Sequence, residues 1–478
     1  MIKALDASVL ETFPAVDRTR VEKDLTAELA ALNRKIVVLD DDPTGVQTVQ
    51  GVNVYTSWDR EAIRAGFDEE NSMFFILTNS RGFTAAQTKA VHTDIAHTLL
   101  RVAEETGKEF ILISRSDSTL RGHYPLETQT LRDVIEANST LRYDGEVIVP
   151  FFKEGGRFTI GNVHYVREGD SLTPAGMTEF AKDKTFAYTS SHLGDWCAEK
   201  TGGAHSADAV TYVSLESLRA LDYDGIQRQL MTVRDFDKVI VNAVDYIDVR
   251  IFAVALIRAL RAGKAFMFRS AAALTKVLGG IPDRAPLARQ DIISGQTDCG
   301  GVVLVGSHVN KTTRQLEELK NCAYPIDFLE FNQHLVLEEG GLEREVERVV
   351  GAAQEAVRMG KTVAVYTRRE RFDLDTADGD RQLEVSVKIS DAVTSIIGKM
   401  TVRPSFIIAK GGITSSDVGV KALKVKKALV MGQISPGIPV WMTGCESKFP
   451  DMPYIIFPGN VGEEDTLRRI VETLMARD

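Results

Sequence analysis

The sequence predicts an α/β protein built from mostly parallel sheets flanked by helices. Short apolar runs rich in β-branched and aromatic residues alternate with longer helical patterns along most of the chain. The runs are almost continuously apolar, which is typical of parallel strands that are covered on both faces. The chain has 478 residues, more than one hydrophobic core usually holds, so we expect two domains.

The predicted strands fall into two sets. In the first half they are Ile36–Leu39, Phe74–Leu77, Phe110–Ile113, Val147–Val149, Val239–Val241 and Phe266–Phe268. In the second half they are Val302–Val305, Thr362–Tyr366, Phe406–Ala409, Pro439–Met442 and Tyr454–Phe457. The clearest helical patterns lie at Ala85–Thr106, Leu342–Met359, Leu383–Met400 and Glu463–Met475. This alternation indicates βαβ units throughout.

A segment rich in Gly and Pro, Gly279 to Pro286, separates the two sets. We therefore predict domains at 1–285 and 286–478, each with its own sheet. The stretch from Pro150 to His205 has no clear period, and we expect it to form an extended excursion from the first sheet.

Composition excludes several classes of function. The 57 basic and 67 acidic residues give a net charge of −10, so a general nucleic-acid binder is not expected. The cysteines lie far apart, at Cys197, Cys299, Cys322 and Cys445, and the eight histidines form no ligand motif, so we expect no metal held by protein nitrogen and sulfur. No targeting or membrane-spanning segment is recognisable, and the sequence predicts a cytoplasmic protein without a membrane partner.

Polar residues follow three predicted strands of the first domain. Ile36–Leu39 leads into Asp40, Asp41 and Asp42, Phe74–Leu77 leads to Arg81, and Phe110–Ile113 leads to a loop containing Arg115, Asp117 and Arg121. In open parallel sheets, ligands bind beyond the carboxyl ends of the strands. Guanidinium groups bind carboxylates, and carboxylates accept hydrogen bonds or protons from hydroxyls. A small polyhydroxylated acid would satisfy this set, although helix capping is the plainer explanation for any one loop.

Glycine-rich turns follow three predicted strands of the second domain. They are Gly306-Ser307, Gly411-Gly412 and Gly459-Asn460. Glycines let backbone N–H groups approach a phosphate, and neither a P-loop nor a dinucleotide fingerprint is present. Together the turns predict a nucleotide or phosphate site of another type.

Several motifs of the chain resemble those of a known family, the four-carbon acid sugar kinases (the DUF1537 or YgbK-like family). The family's D-D-x-T-G, T-x-S-R and K-x-D-S-T-L-R-G motifs resemble Asp41-Asp42-Pro43-Thr44-Gly45, Thr78-Asn79-Ser80-Arg81 and Arg115-Ser116-Asp117-Ser118-Thr119-Leu120-Arg121-Gly122. A G-R-x-T stretch begins at Gly156-Arg157. In the second half, the G-S, G-G-x-T, P-G-x-P and G-N-F-G motifs resemble Gly306-Ser307, Gly411-Gly412-Ile413-Thr414, Pro436-Gly437-Ile438-Pro439 and Gly459-Asn460-Val461-Gly462.

The resemblance implies an ATP-dependent kinase that phosphorylates a hydroxyl of a four-carbon acid of the threonate, erythronate or 3-oxo-tetronate type. It implies a first domain that binds the acid and a second that binds ATP with Mg²⁺, with phosphorylation in the cleft between them. The implied acid-binding residues are Asp41, Asp42, Arg81, Arg115, Ser116, Asp117, Ser118, Thr119 and Arg121. The implied ATP-binding residues are Ser307, Gly411, Gly412, Ile413, Thr414, Gly459, Asn460 and Gly462. We also expect a homodimer.

The chain departs from the family pattern at several positions. Arg115 replaces a Lys, His308 replaces a Cys, and Phe457 replaces a Lys that many members carry before the last glycine loop. Lys410 precedes Gly411 and is predicted to supply the missing cation to ATP.

Within this scheme we expect Arg81 and Arg115 to hold the substrate carboxylate. Asp42 and Asp117 would hold its hydroxyls, and one of them would accept the proton of the attacking hydroxyl. No metal ligand from the protein is predicted, since Mg²⁺ would bind through ATP and water.

Two other functions fit part of the sequence. Asp40, Asp42 and Thr78 also match the first motifs of haloacid-dehalogenase-like phosphatases, with Asp40 as nucleophile. That reading lacks the downstream acidic pair and leaves the glycine turns unexplained. A non-catalytic protein that binds sugar acid and nucleotide is the third interpretation, and the departures at His308 and Phe457 favour it.

Overall fold

The computed structural model describes residues 2–293, 298–370, 372, 379–459 and 461–476, with 379–383 as backbone only. Its strands are β1 (Leu5–Asp6), β2 (Lys35–Asp40), β3 (Val52–Tyr55), β4 (Met73–Leu77), β5 (Phe110–Arg115), β6 (Gly145–Val149), β7 (Arg157–Ile160), β8 (Val163–Glu168), β9 (Ser171–Pro174), β10 (Thr211–Val213), β11 (Asp237–Val241), β12 (Phe266–Ser270), β13 (Val302–Val305), β14 (Ile326–Phe331), β15 (Thr362–Thr367), β16 (Ile407–Lys410), β17 (Lys427–Ser435), β18 (Ile438–Thr443) and β19 (Pro453–Phe457).

The α-helices of the described residues connect and cover these strands. They are α1 (Arg18–Ala30), α2 (Arg60–Asp68), α3 (Ala85–Thr106), α4 (Leu126–Asn138), α5 (Leu193–Lys200), α6 (Leu215–Arg219), α7 (Tyr223–Thr232), α8 (Tyr246–Arg261), α9 (Ala272–Leu278), α10 (Arg289–Ile292), α11 (Asn310–Leu319), α12 (Gly341–Arg358), α13 (Gly379–Lys399), α14 (Gly412–Asp417) and α15 (Thr466–Met475).

The chain divides into two compact units. The first contains Met1–Thr48 and Ser57–Asp283, and the second contains Val49–Thr56 and Arg284–Asp478. The second unit takes a short piece from the first half because β3 pairs antiparallel with β17. The predicted boundary places this piece in the first domain, because nothing in its local sequence indicates a partner in the second half.

The first unit contains a parallel sheet with the order β10-β11-β6-β12-β5-β2-β4. β2, the first long strand, is buried along its whole length, which explains its continuous apolar run. β5 and β4 are its two neighbours. The polar residues that follow these three strands therefore share one edge of the sheet.

The helix after β4 shows how local sequence sets its limits. α3 begins after Thr84, whose hydroxyl and the side chain of Gln87 form a reciprocal capping box. It ends at Gly107, whose φ of 64° is in the left-handed region that favours glycine. The bounds of α3 are those predicted from the sequence.

The stretch from Pro150 to His205, predicted as an extended excursion from the first sheet, contains most of a second sheet. This sheet is antiparallel, with the order β1-β9-β8-β7. Gly161 and Asn162 join β7 to β8 with φ values of 55° and 67°. Two successive left-handed residues are typical of a tight hairpin turn, and the Gly-Asn pair was the available sequence signal.

The second unit contains a mixed sheet with the order β3-β17-β18-β19-β16-β13-β15-β14. The run β19-β16-β13-β15-β14 is parallel, whereas β17 and β18 are antiparallel to their neighbours. The predicted strand at Pro439–Met442 is therefore present as part of β18 but is not a parallel strand. Its core includes Val303, Ile408 and Ile455, each fully buried.

Across the described residues, no helix combines the length and the hydropathy needed to cross a membrane.

Candidate active site

The loop after β2 is organised by ion pairs with Arg81. This guanidinium donates two hydrogen bonds to Asp41, from Nε to Oδ2 at 3.1 Å and from Nη2 to Oδ1 at 2.7 Å. Its Nη1 lies 3.3 Å from Oδ2 of Asp42. Burial disfavours the charge on Arg81, but the carboxylates of Asp41, Asp42 and Asp117 outweigh it and raise its pKa above the usual range. Arg81 is 23% exposed at its side chain, so part of it can meet a ligand.

Arg115 lies beneath this loop. Its guanidinium contacts Oδ1 of Asp40, lies 3.4 Å from Oδ1 of Asp41, and donates to the Asp42 carbonyl at 2.6 Å. Its side chain is 4% exposed, and burial lowers its pKa to about 9. A Cβ at Gly45 would lie 2.1 Å from Nε of Arg115, so this position needs glycine for the loop to cover the guanidinium.

Asp117 lies in the loop that follows β5. Its Oδ2 accepts hydrogen bonds from Nε of Arg121 at 2.7 Å and from the Thr119 hydroxyl, while no described donor reaches Oδ1. Burial acts to raise its pKa, but Arg121 and Arg81 together hold the pKa well below its usual range. Asp117 therefore stays ionised, with one oxygen left for a ligand.

The same loop has an unusual backbone. Leu120 has a φ of 69° and Gly122 a φ of 116°. A left-handed leucine is costly and persists only where the surroundings hold it.

Three buried side chains hold the carbonyl groups of this loop. The Tyr188 hydroxyl donates to the Thr119 carbonyl at 2.7 Å, Nε2 of His164 lies 2.8 Å from the Ser118 carbonyl, and Nη2 of Arg269 lies 3.2 Å from the Arg121 carbonyl. Sequence reasoning missed Tyr188 and Arg269 and gave His164 no definite role, because each acts through a contact distant in sequence.

His164 donates its proton to the loop. Burial lowers the pKa of His164 to about 4, so the ring is neutral near pH 7. A carbonyl can only accept, so Nε2 carries the proton toward Ser118. Nδ1 is then the acceptor for the Thr159 hydroxyl at 3.0 Å.

Ser116 and Ser118 differ in their surroundings. Ser116 is buried, with its hydroxyl 3.5 Å from Oε2 of Glu127, and Ser118 is half-buried. Glu127, which the sequence analysis did not single out, also accepts from the Ser80 hydroxyl at 2.6 Å. Ser116 therefore belongs to a buried hydroxyl–carboxylate cluster beneath the loop.

In the second unit, glycines bring three loops close together. β19, β16 and β13 are adjacent and parallel, so the loops at their carboxyl ends meet. A Cβ at Gly306 would lie 2.2 Å from Oγ1 of Thr414, and one at Gly459 would lie 3.1 Å from Oγ of Ser307. Gly411 has a φ of 126°, and a Cβ there would lie 3.2 Å from Cβ of Ser307. The distance at Gly306 and the φ of Gly411 require glycine, and the contact at Gly459 is tight. These close approaches bring the hydroxyls of Ser307 and Thr414 to one place.

Lys410 ends β16 in an enclosed setting. It is fully buried, its Nζ donates to the Pro458 carbonyl at 2.9 Å, and Nζ lies 3.8 Å from the centre of the Phe457 ring. Burial lowers its pKa to about 7, and the charge of Lys311 acts in the same direction. Phe457, which replaces a family lysine, thus packs against the predicted substitute cation.

Two further residues, Gly462 and Asn460, are predicted to bind ATP. Gly462 has a φ of 82°, and a Cβ there would lie 2.9 Å from the Thr466 side chain. Asn460 lies outside the described residues.

A cavity of about 490 Å³ opens beside the glycine loops of the second unit. Ile413 is 72% exposed and Val309 is 48% exposed, which is unusual for large apolar side chains. Cavities of this size that combine apolar walls with a few polar groups suit small organic ligands. The residues that line the cavity include Gly306, His308, Val309, Thr367, Ile413 and Thr414.

Within the ranges that the structure covers, no group of three or more His, Cys, Asp or Glu side chains is arranged to hold a metal ion.

Comparison with known proteins gives the chain a family. Residues 36–278 match the model of a sugar-binding N-terminal domain, and residues 302–467 match that of a nucleotide-binding C-terminal domain. No curated protein matches.

Among solved structures, a Salmonella typhimurium LT2 protein provisionally assigned as a tRNA synthase is 14% identical, with a TM-score of 0.64 over 92% of this chain and 98% of that one. Haemophilus influenzae HI1011, of the DUF1537 family, is 18% identical, with a TM-score of 0.57 over 92% of this chain and 100% of that one. At these identities the two structures share the α/β fold with this chain. Because the two domain models match in order and together span most of the sequence, the chain belongs to the four-carbon acid sugar kinase family, DUF1537.

Proposed function

We propose that the protein is an ATP-dependent kinase that phosphorylates a hydroxyl of a four-carbon sugar acid of the threonate, erythronate or 3-oxo-tetronate type. One observation carries the proposal. The first unit gathers carboxylates and guanidinium groups at the ends of β2, β4 and β5, and the second gathers glycines and hydroxyls at the ends of β13, β16 and β19. These features lie in the parts that match sugar-binding and nucleotide-binding models.

The acid site combines exposed and buried members. We propose that Arg81, Asp42, Asp117 and Arg121 contact the acid, since their side chains are 12–24% exposed. Asp41 keeps Arg81 in place, and the backbone of Ser118 and Thr119 shapes the loop. Arg115 was predicted to hold the carboxylate directly, and its ion pair with Asp40 supports a role in positioning the Asp41–Asp42 loop instead.

Asp117 is the proposed proton acceptor. Oδ1 of Asp117 has no described hydrogen-bond donor. In Asp42, by contrast, both oxygens accept hydrogen bonds, Oδ1 from Thr44 and Oδ2 from Arg81. A carboxylate with a low pKa is a weak base, but in a loose phosphoryl-transfer transition state it mainly orients the hydroxyl and takes the proton late. Asp42 is then left to hold a neighbouring hydroxyl.

The nucleotide site would bind ATP through the loops of the second unit. We propose that backbone N–H groups of Gly411, Gly412 and Gly459, with the Ser307 and Thr414 hydroxyls, face the phosphates, and that Asn460 and Gly462 complete the last loop. Ile413 lies in the wall of the adjacent cavity, where an adenine ring would fit.

Magnesium would arrive with ATP. Mg²⁺ would bind through the phosphates and keep several of its waters, as it usually does at nucleotide sites. When bound, Mg²⁺ neutralises charge on the phosphate oxygens. The protein residues hold the phosphates and the acid, and transfer requires the two ligands to meet during turnover.

On the basis of the sequence, we also propose domains at 1–285 and 286–478, a cytoplasmic location and a homodimer. In this scheme the first domain binds the acid and the second binds the nucleotide.

The phosphatase alternative is weakened by the position of Asp40. A nucleophilic carboxylate must reach phosphorus, yet Asp40 is 1% exposed and forms an ion pair with Arg115. The non-catalytic alternative is decided by turnover.

The test is ADP release from Mg-ATP with the two threonates, the two erythronates and their 3-oxo forms, and with longer aldonates as controls. We expect release with at least one four-carbon acid. If ATP binds but every acid fails, the kinase proposal is wrong and the non-catalytic alternative stands. Phosphate release from sugar phosphates without ATP would support the phosphatase.

A further inference from the structure

Arg157, at the start of β7, lies beside the acid site. Its guanidinium carbon is 5.6 Å from the centre of the Phe180 ring, and that of Arg121 is 5.1 Å from the same ring. The charge of Asp117 acts on both guanidinium groups. The antiparallel sheet thus places a second arginine next to the one that pairs with Asp117.

Arg157 differs from the other arginines of the site in its partners. Arg81 is paired with Asp41 and Asp42, and Arg115 with Asp40. Arg121 is paired with Asp117, and its Nη1 also lies 3.7 Å from Oδ2 of Asp183. Among the residues that the structure covers, no carboxylate oxygen lies within 4.0 Å of the Arg157 guanidinium. Its Nη1 contacts the Gly155 carbonyl, and its Nε is buried without a hydrogen-bond partner.

A largely enclosed guanidinium without a carboxylate partner is costly unless an anion neutralises its charge. Burial and the nearby charge of Arg121 both lower the pKa of Arg157, while Asp117 raises it. An anion placed between Arg157 and Arg121 would reduce their mutual repulsion and offset the cost of burying the Arg157 charge. Arg121 bonds Asp117 through Nε, and its Nη1 lies 3.7 Å from Asp183, which leaves Nη2 for a ligand. Nη2 of Arg121 and the guanidinium of Arg157 can therefore both donate to a planar group.

We propose that Arg157 binds the carboxylate of the sugar acid together with Arg121, above the ring of Phe180. This inference rests on the proposed function and names the group that distinguishes an acid from a neutral sugar. Arginine suits this task because its planar fork matches the two carboxylate oxygens. The carboxylate end of the acid would then lie toward β7, and its hydroxyls toward Asp117 and Asp42.

The test measures acid binding by calorimetry in wild type, R157Q and R157K, using the two threonates and two erythronates. A lost charge-assisted contact should weaken binding about 10- to 100-fold in R157Q, with partial recovery in R157K, which keeps the charge but not the fork. The matched control is R167Q on the neighbouring β8, where Arg167 is exposed and its side chain donates to the Gly169 carbonyl at 3.0 Å. We expect R167Q to bind as wild type does. Thermal unfolding of each variant checks that it folds.

A second arm uses the tetritols, in which a CH₂OH group replaces the carboxylate. We expect the preference for acid over tetritol, measured as a ratio of kcat/KM values, to fall in R157Q by the same factor as the binding. Equal losses for both ligands would mean that Arg157 acts on the transferred phosphoryl group or on folding, and would overturn the inference. Unchanged acid binding in R157Q would overturn it while leaving the kinase proposal intact. If the wild type binds no acid of the panel, the proposed function and the inference both fail.

Discussion

Buried Lys410 makes nucleotide binding sensitive to pH. Its ammonium has a carbonyl and an aromatic face as neighbours, and burial lowers the pKa to about 7. At pH 8 the amine is then about nine-tenths uncharged in the free protein. A triphosphate beside it would favour the ammonium, so binding at pH 8 should take up close to one proton. Affinity should be highest below pH 7 and fall up to about tenfold per pH unit above it.

The effect of Lys410 on folding stability has the opposite pH dependence: rising pH weakens ATP binding but stabilises the folded protein. The folded pKa lies below the usual value of 10.5, so the unfolded chain holds this proton more tightly. The resulting destabilisation of the folded state is complete below pH 7, declines as pH rises, and is absent above about pH 10.5. The destabilisation below pH 7 is about 5 kcal/mol, at 1.36 kcal/mol per pKa unit. K410M should therefore unfold at higher temperature than wild type at pH 6 while binding ATP more weakly.

Calorimetry of Mg-ATP binding at pH 8, in two buffers with different ionisation enthalpies, measures the proton uptake. We expect the heats to differ between buffers for wild type but not for K410M. K320M is the control, since Lys320 is an exposed residue that pairs with Glu317. If the wild-type heat is the same in both buffers, Lys410 does not face the phosphates and the reasoning is refuted.

Two further substitutions test the separate sites. D117N should lower kcat about 10²- to 10⁴-fold, as expected for loss of a catalytic base, and turnover within tenfold of wild type would mean that Asp117 only supports the loop. G306A should weaken nucleotide binding more than tenfold, because its Cβ would fall 2.2 Å from Oγ1 of Thr414. The control for it is G351A in α12, where a Cβ meets nothing within 4 Å, and wild-type affinity in G306A would contradict the close approach of the loops.

The strands were predictable because burial on both faces leaves a direct mark on the sequence. β2, β4 and β5 read as continuous apolar runs, and parallel pairing puts their polar ends at one edge. The edge strand β14 carried a weaker signal, because five of its six residues are not buried. β3 was missed because its pairing with β17 joins segments far apart in the chain.

The residues of the candidate site could be predicted from the sequence, but which of them are exposed to a ligand and which are buried beneath could not. Arg81 and Arg115 look equivalent in sequence, and only the fold shows that one reaches the surface while the other lies beneath Gly45. Tyr188 and His164 hold the Asp117 loop across separations of 69 and 46 residues. No local pattern encodes such contacts, because they follow from where the antiparallel sheet lies against the loop.

In the proposed reaction, a phosphoryl group moves from ATP to a four-carbon acid. Mass spectrometry of the acid after incubation with Mg-ATP tests this most directly, with D117N in parallel. We predict that the wild type adds one HPO₃ group to the acid with one ADP formed per product, and that D117N forms little of either. ADP formation with the acid recovered unchanged would contradict the claim, because the chain would then hydrolyse ATP without transferring phosphate.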